Sequence, residues 1–200
     1  AKGSPLLFDK DETPRRDTTL EKLGKLTPVY PDGICTAGNS STENDGAAAI
    51  VLMSERKADE LHIEPIAHFR ACALAGSDPT LTYPAVPASV NKALNKVGLV
   101  IDDMDLIEIQ EAFAVQALAD ARLMGIREAD FDQKINVNGS GISLGHPIAA
   151  TGVMRLVTLL NEMRRRAVRF GLETICGGGG LGICAIVERL PGRRYQKTEN

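Results

Sequence analysis

Apolar residues along this chain fall into short continuous runs that alternate with stretches of helical spacing. Residues 1–33 are polar and broken by Pro5, Pro14, Pro28 and Pro31, apart from one amphipathic stretch in which Leu20, Leu23 and Leu26 recur. Ala47–Met53 carries no polar alternation and predicts a buried strand, after which Ser54 caps a charged helix, ERKADEL, ending near His62. Ile66–Ala75 reads as a strand, with an Ala content that suits a helix nearly as well. Pro87, Ala88 and Ser89 open a helix with apolar positions Val86, Val90, Ala93, Leu94 and Val97, and Gly98 stops it. Asp105–Ile109 predicts a strand, Glu111 to Gly125 a helix, and Ile135–Gly139 a further strand. Val153, Leu156, Val157 and Leu160 mark a helix whose last turn is Arg164–Arg166. ETIC and ICAIVERL, separated by Gly177–Gly182, are too close for a crossover helix and predict antiparallel neighbours. The expected fold class is α/β, a mixed sheet covered by helices, with no internal repeat.

Composition narrows the function classes. The 200 residues are 44% hydrophobic and 24% charged with a net charge of -3, the balance of a globular domain. No apolar run reaches the ~18 residues of a membrane helix, and the first twenty residues hold charges and Pro where a secretory signal would be apolar. A cytoplasmic or organellar-matrix location is expected. The charge balance and the 4% aromatics, without Trp, argue against nucleic-acid binding, and Arg155 with Arg164–Arg166 reads as decoration of a solvated helix end. Cys35, Cys72, Cys176 and Cys184 lack metal-ligand spacing, and His62, His68 and His146 do not cluster with them, so no metal site is expected. Cys35, Cys72 and Cys184 read as small buried hydrophobes.

Chemistry concentrates at three junctions beside predicted strands. Gln110-Glu111-Ala112-Phe113 places a carboxamide where it can hold a water or a carbonyl oxygen, or simply start a helix. In Asn138–Gly152, Pro147 can open a helix at its first position, setting His146 at the positive helix end, where the imidazole stays neutral and can act as a base. A histidine bonded to a turn is the plain alternative. Cys176 precedes Gly177–Gly180, four glycines that imply special backbone angles or ligand clearance and can supply oxyanion-binding amides, or form only a loop. Ile34–Ala49 packs small residues that suit a narrow ligand or a tight turn.

TAGNSS, NDGAAA, QEAFA, NGSGISLGHPIAATG and CGGGGLG, in this order, resemble the thiolases over roughly Phe8 to Leu190. FDKDETPRRDTTLEKLGKL resembles the end of the thiolase loop region that covers coenzyme A. The resemblance implies a layered αβαβα fold, of which this chain would be the C-terminal half, and acyl transfer between 3-ketoacyl-CoA or acetyl-CoA and CoA. It implies His146 as base and oxyanion donor and Cys176 as acid and base at the α-carbon, its thiolate form stabilised by glycine-lined amides. It implies Gly178 as a backbone oxyanion donor, Ala37 and Ser41 beside the pantetheine arm, Arg15 near the adenine and Phe113 lining the thioester pocket. Coenzyme A would be a substrate; no permanently bound cofactor is implied.

Two departures stand out. Gln110 replaces the Asn of the family's NEAF motif, moving the amide by about 1.5 Å. The family nucleophile lies upstream of anything here, and none of the four cysteines stands at its position. The resemblance therefore implies a partner, an N-terminal thiolase chain carrying the nucleophilic Cys, in a dimer of two-part units. The implied organisation is 1–43 as the end of the CoA-covering loop, 44–64 as a strand and helix of the N-terminal-half domain, 65–192 as the C-terminal domain and 193–200 as a flexible tail. The rival is a non-catalytic CoA-binding or scaffolding relative.

Overall fold

The computed structural model describes residues 7–11, 14–81 and 84–189, so the tail 193–200 lies outside them. The chain divides into two compact units, 1–38 and 39–200. In the first, the Thr19 hydroxyl accepts from the Lys22 amide (3.2 Å) and starts helix α1, Leu20–Gly24. A side chain at Gly38 would collide with Leu23 and Leu26, so the apolar stripe packs on a residue without one.

The second unit begins with α2 (Glu55–Glu60), capped as expected by the Ser54 hydroxyl on the Lys57 amide. Then come β1 (His68–Gly76), α3 (Ala85–Val97), β2 (Leu106–Ile109), α4 (Ala114–Leu123), α5 (Phe131–Lys134), α6 (Gly141–Leu144), α7 (Thr151–Arg166), β3 (Phe170–Gly177) and β4 (Leu181–Glu188). The strands form one mixed sheet in the order β1-β4-β3-β2. β3 and β4 are the expected antiparallel hairpin, β1 joins β4 antiparallel, and β2 joins β3 in parallel. Ile66–Ala75 is thus resolved as strand. β1 is an edge, and Lys92 and Lys96 of α3 donate to its Leu74 and Cys72 carbonyls (3.1 and 2.7 Å), which blunts further pairing.

Strand alternation sends side chains to two layers. Ile107, Ile109, Leu172, Cys184 and Ile186 pack with Val90 and Leu94 of α3 and Ala121 of α4. On the other face Leu106 and Val187 pack with Leu156, Leu159 and Met163 of α7. A side chain at Gly171, the second residue of β3, would run into Met163 and Leu159, whereas one at Gly152 would lie 3.7 Å from the Glu173 carboxylate. Helix α7 therefore runs antiparallel to β3 and brings its N-terminus to the carboxyl end of the parallel pair, the end at which α/β sheets place their sites. On the α3 side a side chain at Gly182 would strike the backbone of Ala85 and Val86, which cannot swing away. Gly182→Ala is expected to lower stability by about 1–3 kcal/mol, read as a reduced urea midpoint.

Several expectations are corrected. Ala47–Met53 forms no strand, and Val51 and Leu52 are 81% and 70% exposed, because no strand among the described residues pairs with this apolar run. Ile135–Gly139 is not a strand either. Ile135 bridges Ile107, Asn136 turns left-handed, and the Asn136 side chain replaces the backbone ladder by bonding the Ile109 N–H (2.7 Å) and C=O (2.9 Å). Helix α4 starts at Ala114 rather than Glu111, since the Glu111 carboxylate is used by Asn136 and the Ile142 amide. Pro147 precedes a 3-10 turn, Ile148–Ala150, and α7 itself starts at Thr151. The buried stripe of α7 is rotated from the predicted one to Thr151, Arg155, Leu156, Leu159, Glu162 and Met163. Cys184 is buried, but Cys35 is half-buried and Cys72 exposed on the edge strand.

Candidate active site

Three chain segments meet at the loop before α7. Segment 39–46 runs beside the end of β2, where the Ser41 amide and hydroxyl both donate to the Ala112 carbonyl (3.0 and 3.2 Å). The Ala114 amide donates to the Asn39 carbonyl (2.9 Å). The segment then reaches the histidine loop: the His146 amide donates to the Thr42 carbonyl (3.0 Å) and, more weakly, to Asn44 Oδ1 (3.3 Å). Small residues are needed here, since a side chain at Gly46 would press on Pro147 and Met154. Between the segments lies a cleft of about 320 Å³ lined by Ser41, Thr42, Glu43, Ala112, Phe113, His146 and Ile148. Three predicted site residues, Ser41, Phe113 and His146, thus share one cavity.

His146 is held by its ring as well as its backbone. Nδ1 lies 2.7 Å from the hydroxyl of Thr151, which is fully buried, leaving Nε2 as the nitrogen available to a bound molecule. A hydroxyl donates or accepts, so this contact suits either neutral tautomer. Burial, and then the charge of Arg155, hold the imidazole below its ordinary titration range, while Glu43 opposes them. Neutrality was expected from a helix dipole; the intervening 3-10 turn leaves desolvation and a buried cation as the causes.

The other candidates cluster at the carboxyl ends of β2 and β3. The Gln110 amide donates to the Thr174 carbonyl (3.0 Å), and its side chain is 1% exposed against Gly141. Neither carboxamide atom has a protein partner, and Gln110 does not line the cleft. Cys176 stands two residues beyond Thr174, paired with Gly182, at the same end of the sheet as the N-terminus of α7. Its thiol is raised by burial and by Asp120 of α4, which is itself raised to about 7 by burial. This corrects the expectation of a stabilised thiolate: Cys176 is a protonated thiol at neutral pH. In the glycine run, Gly179 and Gly180 have left-handed φ (84° and 78°), and Gly180 packs on the Ser77 and Asp78 carbonyls. Gly178 is exposed in the same turn, with open space where a side chain would be. Cys176 and Gly178, like Gln110, lie outside the lining of the cleft. Arg15 and Ala37 belong to the first unit, 1–38, and are exposed there.

Sequence reasoning missed Thr42, Asn44, Glu111, Asn136 and Thr151, and it misplaced Arg155. Arg155 is 2% exposed, not solvated, and its Nη2 donates to the Gly145 carbonyl (3.0 Å). A signal existed: Thr151 and Arg155 are one turn apart on the stripe that also carries Leu156 and Leu159.

Residues 63–189 match the family described as Thiolase, C-terminal domain, and residues 1–56 that described as Thiolase, N-terminal domain. An acetyl-CoA acetyltransferase of Chromobacterium violaceum is 48% identical over 189 residues, 94% of this chain and 47% of its own length. A 3-ketoacyl-CoA thiolase of a Marinomonas species is 44% identical over 95% of this chain and 49% of its own. The crystal structure of the Bacillus anthracis acetyl-CoA acetyltransferase superposes with a TM-score of 0.85 at 43% identity, covering 90% of this chain and 45% of that one. The chain spans about half the length of the relatives it matches. With the C-terminal-domain match running across the sheet, the histidine loop and the glycine turn, this chain belongs to the thiolase family.

Proposed function

We propose that this chain acts in thiolase chemistry, reversible thiolysis of a 3-ketoacyl-CoA or Claisen condensation of acyl-CoA units, with the nucleophilic cysteine donated by a partner chain. The observation that carries this reading is a neutral histidine, fixed by Thr151 and lining a cleft, at the sheet end that also holds a protonated thiol. In thiolysis His146 accepts the proton of the attacking thiol, and the sulfur bonds to the 3-keto carbon. The bond between C2 and C3 breaks, and Cys176 gives its proton to C2, releasing acetyl-CoA and leaving the shortened acyl group on the enzyme sulfur. Coenzyme A then gives its thiol proton to the Cys176 thiolate and carries the enzyme-bound acyl group away, and the departing sulfur of the partner's cysteine takes back the proton held by His146. In condensation the same steps run backwards, with Cys176 taking the α-proton and His146 Nε2 donating to the thioester oxygen.

Gln110 supports the polar end of the site and Gly178 offers a backbone amide to the second oxyanion. Ser41 and Ala37 lie along the pantetheine arm, Arg15 meets the adenine end, and Phe113 walls the thioester pocket. The exposed Val51 and Leu52 support a partner: residues 44–64 belong with the other half of the fold, and an apolar run left in water invites a cover. Residues 1–43 are then the end of the CoA-covering loop and 65–192 the C-terminal domain. Purification of the natural assembly is expected to yield a second polypeptide of similar size and thiolysis of acetoacetyl-CoA. A solitary chain, inert toward 3-ketoacyl-CoA, would overturn this. The buried Gln110 amide favours one alternative, a scaffold that binds CoA; CoA binding without turnover in the intact assembly would select it.

A further inference from the structure

Beneath the histidine loop lies a charged cluster that the steps above do not use. Glu108 of β2 and Glu173 of β3 stand directly opposite each other in the parallel register, 2% and 6% exposed, on the face covered by α7. Two carboxylates in that position repel each other and pay for lost water, and burial pushes both up to about 8. Arg155 of α7 faces both and lowers each of them. At neutral pH burial favours the protonated form of both carboxyls, while the guanidinium charge opposes it at each. A well-packed apolar side chain in place of a buried ion pair is often as stable. What the guanidinium adds is its bond to the Gly145 carbonyl.

That bond falls on a weak point. Gly145 is buried at φ 90° and ψ 167°, and Asn44 fills the space where a side chain would stand. A glycine in this region resists no rotation by itself, so neighbours must hold it. Thr151 grips the imidazole, and Arg155, one turn later on the same helix face, grips the carbonyl immediately before it. We propose that Arg155 is a positioning residue for His146: buried within the field of the Glu108–Glu173 pair, it clamps the Gly145 carbonyl and fixes the loop that presents the imidazole. Its meaning for catalysis rests on His146 being the base proposed above. The clamp also sets a cation beside His146, on which Glu43 of segment 39–46 acts in the opposite sense; Glu111 acts on the guanidinium, and Glu162, further along α7, acts on Glu108.

The test compares Arg155→Met and Arg155→Lys, with the double variant Arg155→Met, Glu173→Gln as the arm that removes the unbalanced carboxyl should the first fail to fold. In the chain itself, NMR should show the His146 amide exchanging at least ~10-fold faster in Arg155→Met and its imidazole titrating higher than in the wild type. Arg155→Lys keeps the cation and should leave that titration near the wild-type value. In the assembled enzyme Arg155→Met should lower kcat by ~10- to 100-fold with KM nearly unchanged. Unchanged exchange and titration in the folded Met or double variant would overturn the clamp whatever the enzyme does. A loosened loop in an assembly whose wild type has no thiolysis would instead sink the reading of His146 as base.

Discussion

His146→Ala in the assembled enzyme is expected to lower kcat for thiolysis by about 10²–10⁴-fold, the usual worth of a positioned general base. The size follows from how firmly the ring is held. Thr151 fixes Nδ1 at 2.7 Å, the backbone amide is tied to Thr42, and Nε2 is left for the reacting thiol. Burial and Arg155 hold the imidazole below its ordinary value of 6.5, so the basic form persists as pH falls. The acid limb of the kcat profile is therefore expected below 6.5, and it should vanish in the alanine variant. The fold should survive, because His146 is only half-buried at the cleft and the core packs elsewhere. Residual activity within tenfold of wild type, in a folded assembly, would show that another group removes the proton.

Cys176→Ala is expected to divide the reaction rather than abolish every step. Condensation should fall by about 10²–10⁴-fold, because no other positioned group moves the α-proton. Acylation of the partner's cysteine from acetyl-CoA should continue in part, since the attack uses His146 and the oxyanion donors and CoA can depart as its thiolate. Rapid-quench mass spectrometry separates the two: an acylated partner chain without condensation product is the expected result, and equal loss of both would contradict the division. Burial and Asp120 raise the thiol above its ordinary 9.0, so the alkaline limb for thiolysis, in which Cys176 is the acid, should lie above that value. Asp120→Asn removes one of those causes and should move the limb downward. Alanine fits the half-buried site between β3 and β4 with little loss of stability, which keeps the test one of chemistry.

The elements that could be read in advance are those whose signal is local. Ser54, Gly98 and Gly125 bound helices because caps and stops act within one turn, and the β3–β4 hairpin follows from two apolar runs separated by a few glycines. Ser41, Phe113 and His146 were also legible, each within a short motif, and the structure brings all three to one cleft. Asn136 defeated the reading since its apolar neighbours suit a strand while its side chain completes the β2 ladder itself. Ala47–Met53 has the composition of a strand, but a strand exists only where another offers its backbone, and none among the described residues does.

By itself, then, the sequence determined the family, most of the strands and helices in their order, and which histidine and which cysteine are the candidates to test. Only the tertiary structure decided that Glu108 and Glu173 stand side by side, that Arg155 is buried and bonded to the Gly145 carbonyl, and that Thr151 holds the His146 ring. Periodicity and capping depend on neighbours a few residues away, whereas register between β2 and β3, 65 residues apart at Glu108 and Glu173, depends on how every intervening element packs. The burial of a charge is likewise fixed by what covers it, and no single stretch of chain carries that information.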